Sequence, residues 1–487
     1  MQRSNLAFRP LAPASRVAAL ALFLVAPASS QCGLEQILPQ AGFEDTIAWG
    51  VSDDGTTVVG ASYFSFSGPN ERAFSWSAAT GLVPLPSPGL DGSEAFAVSA
   101  DGSVVVGCAS PGPVAWIGGG SPLTLLPATG LYAGGEAQDV SAGGSTIVGW
   151  TRRSVSNAIV AFRWTAASGF VELTAPSGFT RAFAEGVSGD GSVVVGRMQT
   201  SVISPSRAFR WTEAGGFVDI TPPGAVSALA LAASADGSVI VGQAAFSGSV
   251  RHAVRWDATG TATSLGAAPG TDSSARAVTS DGRSVVGEAN GSFDFMAWSV
   301  ETGPVDHAAW IPEGGLFNDV SDNGVHVGLT YYGPFGESYA IVWRGSEVGA
   351  TYCDTAVPNS TGCIGRLSAE GSADVAASNL SLRASSLPQN VFGLFLAARA
   401  TGSTLRPGGS TGTLCLSGPI GRFSGPGQSS GAAGELRLAL DLTALPTPNA
   451  PSAALPGETW YFQTWYRDSD AGVATSNFTD AVSVTFR

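Results

Sequence analysis

One phrase recurs seven times between residues 45 and 345, and it dictates the architecture. Its fullest copy is the run Glu94–Gly107, EAFAVSADGSVVVG, followed by a short loop, an aromatic stretch ending in Trp116, and then Leu and Pro. The turn glycines fall at Gly55, Gly102, Gly144, Gly191, Gly237, Gly282 and Gly324, and the tryptophans at Trp76, Trp116, Trp164, Trp211, Trp256, Trp298 and Trp343. Steps of roughly 40 to 48 residues match the period of a four-stranded unit. In the second copy, Glu94–Ser99 reads as an inner strand and Asp101-Gly102 as a hairpin turn that tolerates positive φ. Ser103–Gly107, Pro113–Ile117 and Pro122–Leu126 then read as three further strands. One such twisted sheet cannot cover both its faces, whereas seven stacked around an axis cover one another. The expectation is a seven-bladed β-propeller with each tryptophan packed between adjacent blades.

The ends of the array explain how the ring closes. The seventh copy has inner strands around Phe317–Gly328 and a third strand at Tyr339–Trp343, but no clear fourth. Leu34–Pro39, just ahead of the first copy, offers a spare strand. The reading is that it completes blade seven and removes an open edge.

The third strands vary on one theme: Arg72-Ala-Phe-Ser-Trp76, Ala161-Phe-Arg-Trp164, Arg207-Ala-Phe-Arg-Trp211 and His252-Ala-Val-Arg-Trp256. With Val-Ser-x-Asp-Gly-x-x-Val-Val-Gly upstream, the repeat resembles the HAF extracellular repeat of bacterial surface and secreted proteins. That family's name-giving tripeptide stands here as His252-Ala253-Val254. The resemblance implies an exported repeat protein and no particular reaction. The Asp-box of sialidase propellers does not match, because Asp101 and Gly102 adjoin where that motif inserts a residue.

After Gly349 the phrase stops. Residues 350–487 alternate apolar and polar over short runs separated by Gly, Pro, Ser and Asn, as in an antiparallel β-sandwich of about eight strands. Tyr352-Cys353, Pro358–Gly362, Leu414–Phe423, Phe462–Asp468 and Ser476–Asp480 are similar to a C-terminal domain of exported proteins from planctomycete-type bacteria. The resemblance implies an attachment or sorting role. Such domains often carry a third cysteine where this chain has Thr464. The expected class is therefore all-β: a signal segment at 1–30, a propeller at 31–349 and a sandwich at 350–487.

The signal reading rests on Arg3, Arg9 and Arg16, the apolar run Val17–Val25 and the small residues Ala28-Ser29-Ser30. That run is too short to span a bilayer, and no other segment is long and pure enough. Five cysteines in an exported chain suggest disulfides with one left over. Cys353 and Cys415 form the first candidate pair. Cys32 and Cys363 form the second, because the start of the closing strand would lie near the entry to the sandwich. Cys108 remains as a small buried hydrophobe.

Composition removes several functions. The formal charge is −14, and all 24 basic residues are arginine. An acidic chain is a poor nucleic-acid binder, and without lysine neither a Schiff base nor a P-loop can form. His252, His307 and His326 share no ligand spacing, so neither a metal nor a cofactor is expected. Asp54, Asp101, Asp190, Asp236, Asp281 and Asp322 lie in or beside the hairpin turns, where side-chain bonds to local backbone explain them. Arg163, Arg210 and Arg255 precede tryptophans in three consecutive blades. They are read either as inter-blade ion pairs with turn carboxylates or as a ligand-facing stripe for an acidic glycan. Recognition is expected on the variable loops 63–71, 151–157, 198–206, 244–251 and 330–337. The function expected is a secreted or surface-attached monomer, not an enzyme, that binds an extracellular glycan or envelope component or acts as a scaffold. The alternative is a carbohydrate-active hydrolase or lyase using propeller-face carboxylates.

Overall fold

The computed structural model describes residues 34–487 except 65–70, 88–91, 247–249, 267–270, 290–293, 301–302, 307–314, 323–324, 333–336, 345–347, 354–356, 371–372, 379, 424–427 and 471. The signal segment, Cys32, His307, Gly324 and parts of three of the variable loops lie outside the described residues.

The seven inner strands are Asp45–Val51, Ser93–Val98, Tyr132–Val140, Arg181–Val187, Ser227–Ala233, Ser273–Val278 and Gly315–Val320. Each pairs antiparallel with the strand that follows it, which pairs in turn with a third strand. Blades one to six carry their own fourth strand. In blade seven that place is taken by Leu34–Ile37, antiparallel to Glu337–Arg344, with Leu34 opposite Trp343 and Gln36 opposite Ile341. The ring thus closes as its sequence requires. Ile37, 1% exposed, packs among Ala48, Val51, Phe74, Trp76, Val327, Ala340 and Val342. Thr46 Oγ1 donates to the Ile37 carbonyl (2.7 Å) and accepts from Ala340 N–H (3.0 Å), tying blades seven and one together.

The hairpin turns follow one rule. In the turn after Val98, Ser99 Oγ donates to Asp101 Oδ1 (2.8 Å) and accepts from Val104 N–H (2.9 Å), while Asp101 Oδ1 also accepts from Ser103 N–H (2.9 Å). The same set recurs at Ser52/Asp54, Ser188/Asp190, Ser234/Asp236 and Thr279/Asp281. Gly102, at φ 73°, sits where a side chain would be strained. Bonds from Ser103 and Ser99 hold the Asp101 carboxyl down to about 2.

The tryptophans are inter-blade residues, and two show it directly. Trp116 Nε1 donates to the Pro86 carbonyl and Trp256 Nε1 to the Ile220 carbonyl, both at 2.7 Å and both at the end of the preceding blade. Trp164, Trp211, Trp298 and Trp343 are only half-buried. Blades three and four differ from the rest: a parallel bridge from Ile159 to Arg181 joins them into one continuous sheet.

Beyond the propeller lies a sandwich. Its larger sheet pairs Ala350–Tyr352, Val473–Thr485, Thr459–Asp470 and Phe392–Ala398 in that order, with short pieces beside the last. The smaller pairs Arg366–Glu370, Ser381–Ser385 and Leu436–Ala439. Leu367, Leu382 and Leu436 meet Phe395, Trp460, Phe462, Val482 and Phe486 in a core drawn wholly from residues 348–486. With the hairpin Ala400–Leu405/Thr413–Ser417, the region holds more strands than the eight expected, because pieces of two to four residues lack the alternation that reveals a strand.

Candidate functional site

Every inner strand carries a β-bulge at the same place. The register slips between Ala48 and Gly50, Ala95 and Ala97, Ala137 and Asp139, Ala184 and Gly186, Ala230 and Ala232, Ala275 and Ala277, and Phe317 and Asp319. A bulge leaves backbone groups unpaired and re-aims the side chains beside it. Here it turns them to the central channel, whose two ends differ in chemistry.

At the end formed by the hairpin turns, backbone bonds tie neighbouring turns to one another. Ala100 N–H donates to Ala142 O, Ala142 to Gly189, Asp190 to Ala235, Ala235 to Ser280, and Asp322 to Asp53, at 2.9–3.1 Å. Ser280 N–H donates to Asp322 Oδ1 at 2.7 Å. Beside these turns lies a cavity of about 110 Å3, lined by Asp53, Asp139, Asp319, Asp322 and Ser280 among Val, Ala and Gly. Asp139 and Asp319 occupy a position that is Gly or Ala in the other five blades. Each acts as a strut. Asp139 accepts from Val140 N–H (2.7 Å) and, across the blade boundary, from Val187 N–H (2.8 Å). Asp319 accepts from Val320 N–H (2.8 Å) and Val51 N–H (2.9 Å). The receiving blades carry Gly186 and Gly50 at that position, where a Cβ would lie 2.6 and 2.8 Å from the Leu231 and Phe96 carbonyl oxygens. Burial pushes both carboxyls up to about 7 against the pull of these N–H donors. Among the described residues no group of three or more His, Cys, Asp and Glu is arranged to hold a metal ion.

The opposite end, where inner strands begin and second strands pass to third, differs from blade to blade. Trp49 meets Phe96 edge-on at 6.2 Å and donates to Tyr63 Oη (3.3 Å), which donates to Glu94 Oε2 (2.9 Å). Gln138 donates to Glu136 (2.7 Å), and Arg276 donates to Glu288 (3.1 Å). Across blades three and four, Trp150 meets Phe183 edge-on at 5.6 Å, and two guanidinium groups lie over the Phe183 ring, Arg197 at 4.4 Å and Arg181 at 5.3 Å. The loops above this sector hold the three most exposed large hydrophobics among the described residues of the ring: Val155 at 93%, Val202 at 73% and Ile203 at 94%.

The residues singled out in the sequence go elsewhere. Arg163, Arg210 and Arg255 each lie on the third strand of their own blade, cross-strand from Val148, Val195 and Val241, and none lines the cavity. None of the ion pairs among the described residues involves them; Arg163 Nη2 approaches Thr146 Oγ1 at 3.4 Å. Cys353 and Cys415 are joined by a disulfide. Cys363 is disulfide-bonded as well, and the Cys32 expected to partner it lies outside the described residues. Cys108 is a free thiol. His326 packs against Phe317 and Trp343.

In the sandwich, the phrases that stood out converge on one buried network. Gln463 accepts from Cys415 N–H (2.9 Å) and donates to the Thr413 and Thr479 carbonyls (3.0 and 2.8 Å). Asp468 accepts from Ser360 N–H (3.0 Å) and from Asn477 Nδ2 (3.2 Å), and Asn359 Nδ2 reaches the Ser386 carbonyl (2.7 Å). Asp480 pairs with Arg366 (3.1 Å) and accepts from Leu367 N–H (2.6 Å). Every partner in this network is structural.

No protein-family model matches the chain, and no curated protein does. Among solved structures, it is similar to an oligogalacturonate lyase in complex with manganese (12% identity, 64% of this chain and 96% of that one, TM-score 0.43). It is also similar to the Cps50 (Swd1) β-propeller domain of Myceliophteria thermophila (9%, 63% and 98%, 0.41) and to TolB of Acinetobacter baumannii (14%, 55% and 64%, 0.34). The likeness is one of fold.

Proposed function

We propose that the chain is an exported binding or scaffold protein that recognises its partner at the loop end of the propeller, above blades three and four. The observation that carries this reading is the contrast between the two ends. At the turn end, the repeat positions are small, and the polar groups bond one another across blades. At the loop end, Trp49, Phe96, Gln138 and Arg276 engage aromatic and acidic partners that differ from blade to blade, and the loop tips expose Val155, Val202 and Ile203. Exposed apolar groups beside half-buried aromatic and charged ones mark an interaction surface. The sandwich is the attachment module in this reading, in keeping with its likeness to C-terminal domains of exported proteins and the repeat's likeness to the HAF repeat.

A second reading, hydrolysis or lysis of a carbohydrate, is favoured by one feature: burial pushes the Asp139 and Asp319 carboxyls up to about 7, the range a general acid needs. Against it, both oxygens of each carboxyl already accept backbone N–H groups. Purified full-length protein is to be screened on a glycan array and, in parallel, for turnover of a polysaccharide panel. Binding lost on replacing Val155, Val202 and Ile203 by serine supports the first reading. Turnover abolished by Asp139→Asn or Asp319→Asn replaces it with the second.

A further inference from the structure

At the junction of blades three and four the loop end gathers three arginines, more cations than carboxylates. Arg152 lies opposite Ile159 on one side, and Arg181 bridges to Ile159 on the other. Paired residues share a sheet face, so the two guanidinium groups project together. Arg197, opposite Phe183, lies on the same face two residues further along, and Trp150 lies two residues before Arg152. Glu185 contacts Arg197 at 3.3 Å and Glu136 stands opposite Trp150, so two carboxylates face three cations. Neither Arg152 nor Arg181 forms an ion pair among the described residues, and Arg181 Nε is buried without a hydrogen-bond partner among them. Burial and the neighbouring Arg197 and Arg152 cations push the Arg181 pKa down. Like charges gathered on a half-buried face are unfavourable alone and favour an anion.

We propose that Arg152, Arg181 and Arg197, with Trp150 beside them, form a subsite for an oxyanion-bearing sugar: a short acidic oligosaccharide whose carboxylate or sulfate groups take the guanidinium forks. Planar guanidinium groups bind such oxyanions in bidentate fashion. Trp150, partly exposed beside them, would stack on the C–H side of a pyranose ring in this subsite. A short ligand suits the site better than a long polyanion, because the chain as a whole carries −14 and repels extended negative charge. This inference names the ligand class for the loop-end site proposed above and rests on that reading.

The test is isothermal titration of the full chain with a galacturonate trisaccharide, a sulfated chondroitin tetrasaccharide and neutral maltotriose. The expected result is binding of one or both acidic sugars and none of maltotriose. A loss of tenfold or more in Arg152→Gln/Arg181→Gln and of a few-fold in Arg152→Ser is expected. Arg152 is exposed, so the single variant reports even if the double variant folds poorly. The galacturonate and chondroitin arms tell carboxylate from sulfate. Equal affinity in both variants overturns the subsite, as does binding of maltotriose alone or of an aspartate-rich peptide alone. If neither acidic sugar binds while the serine replacements at Val155, Val202 and Ile203 still abolish capture on the array, the subsite falls and the loop-end reading stands.

Discussion

At the scale of single residues, serine and aspartate at fixed places fold the repeat. Ser99 is fully buried and gives its turn one donor and one acceptor. Ser99→Ala strands the Val104 N–H and should lower stability by about 1–2 kcal/mol, read as a shift in the urea midpoint. Asp139 and Asp319 act in the opposite sense with pH. Their folded pKa values, about 7, lie above the 3.8 of an ordinary aspartate. Proton uptake therefore favours the folded state. The stability these groups contribute is full below about pH 4 and is lost as pH rises through 7. The urea midpoint should fall between pH 5 and pH 8, and Asp139→Asn should flatten part of that slope; a midpoint independent of pH over this range rules the argument out. These two aspartates escape a reading of the sequence by motif, because they lie in no turn. They stand out only when the seven copies are laid over one another and a Gly/Ala column shows two exceptions. Arg163, Arg210 and Arg255 stood out instead, since they sit beside tryptophan. Position within a strand does not reveal distance from the axis, and the third strand is far from it.

Elements matter through what they close. The closing strand was legible because the last copy lacks a fourth strand and the first is preceded by one. Ile37→Ala removes a side chain from the seam core and should cost about 2–5 kcal/mol. Deleting residues 34–37 should do more: the edge of Glu337–Arg344 is left open, and light scattering should rise at concentrations where the intact chain is clear. The bulges were not legible. A bulge is one residue of slip in an otherwise regular apolar alternation, and its signature, Ala or Gly on either side in five of the seven copies, is what any tight inner strand shows. Consequently the bulge residues Trp49, Phe96, Gln138, Glu185, Leu231, Arg276 and Asn318 were hidden within strands read as core.

For the molecule as a whole, the all-β class and the number of blades follow from a period and a pairing rule. The sandwich core was readable as alternation, while its buried network appeared only as unusual phrases. Gln463 and Asn477 are buried where strict alternation from Phe462 and Val482 would turn them to the other face, because a register shift follows Gln463, so they drew notice without disclosing a role. The Cys353–Cys415 bridge spans 62 residues. In the chain-entropy model, Cys353→Ser should cost about 4 kcal/mol, seen as earlier unfolding of the sandwich signal with the propeller signal unmoved; coincident loss of both signals would mean the two regions unfold as one.

The partners in the seam, Leu34 and Trp343, are separated by about three hundred residues of chain. During synthesis the first strand emerges long before the one it must meet, and six sheets can form while it waits. Circle completion is thus a late, long-range event. A permuted chain that begins at Tyr132 and carries Leu34–Ile37 directly after blade seven would make that contact local, and should reach its native state faster with the same final stack.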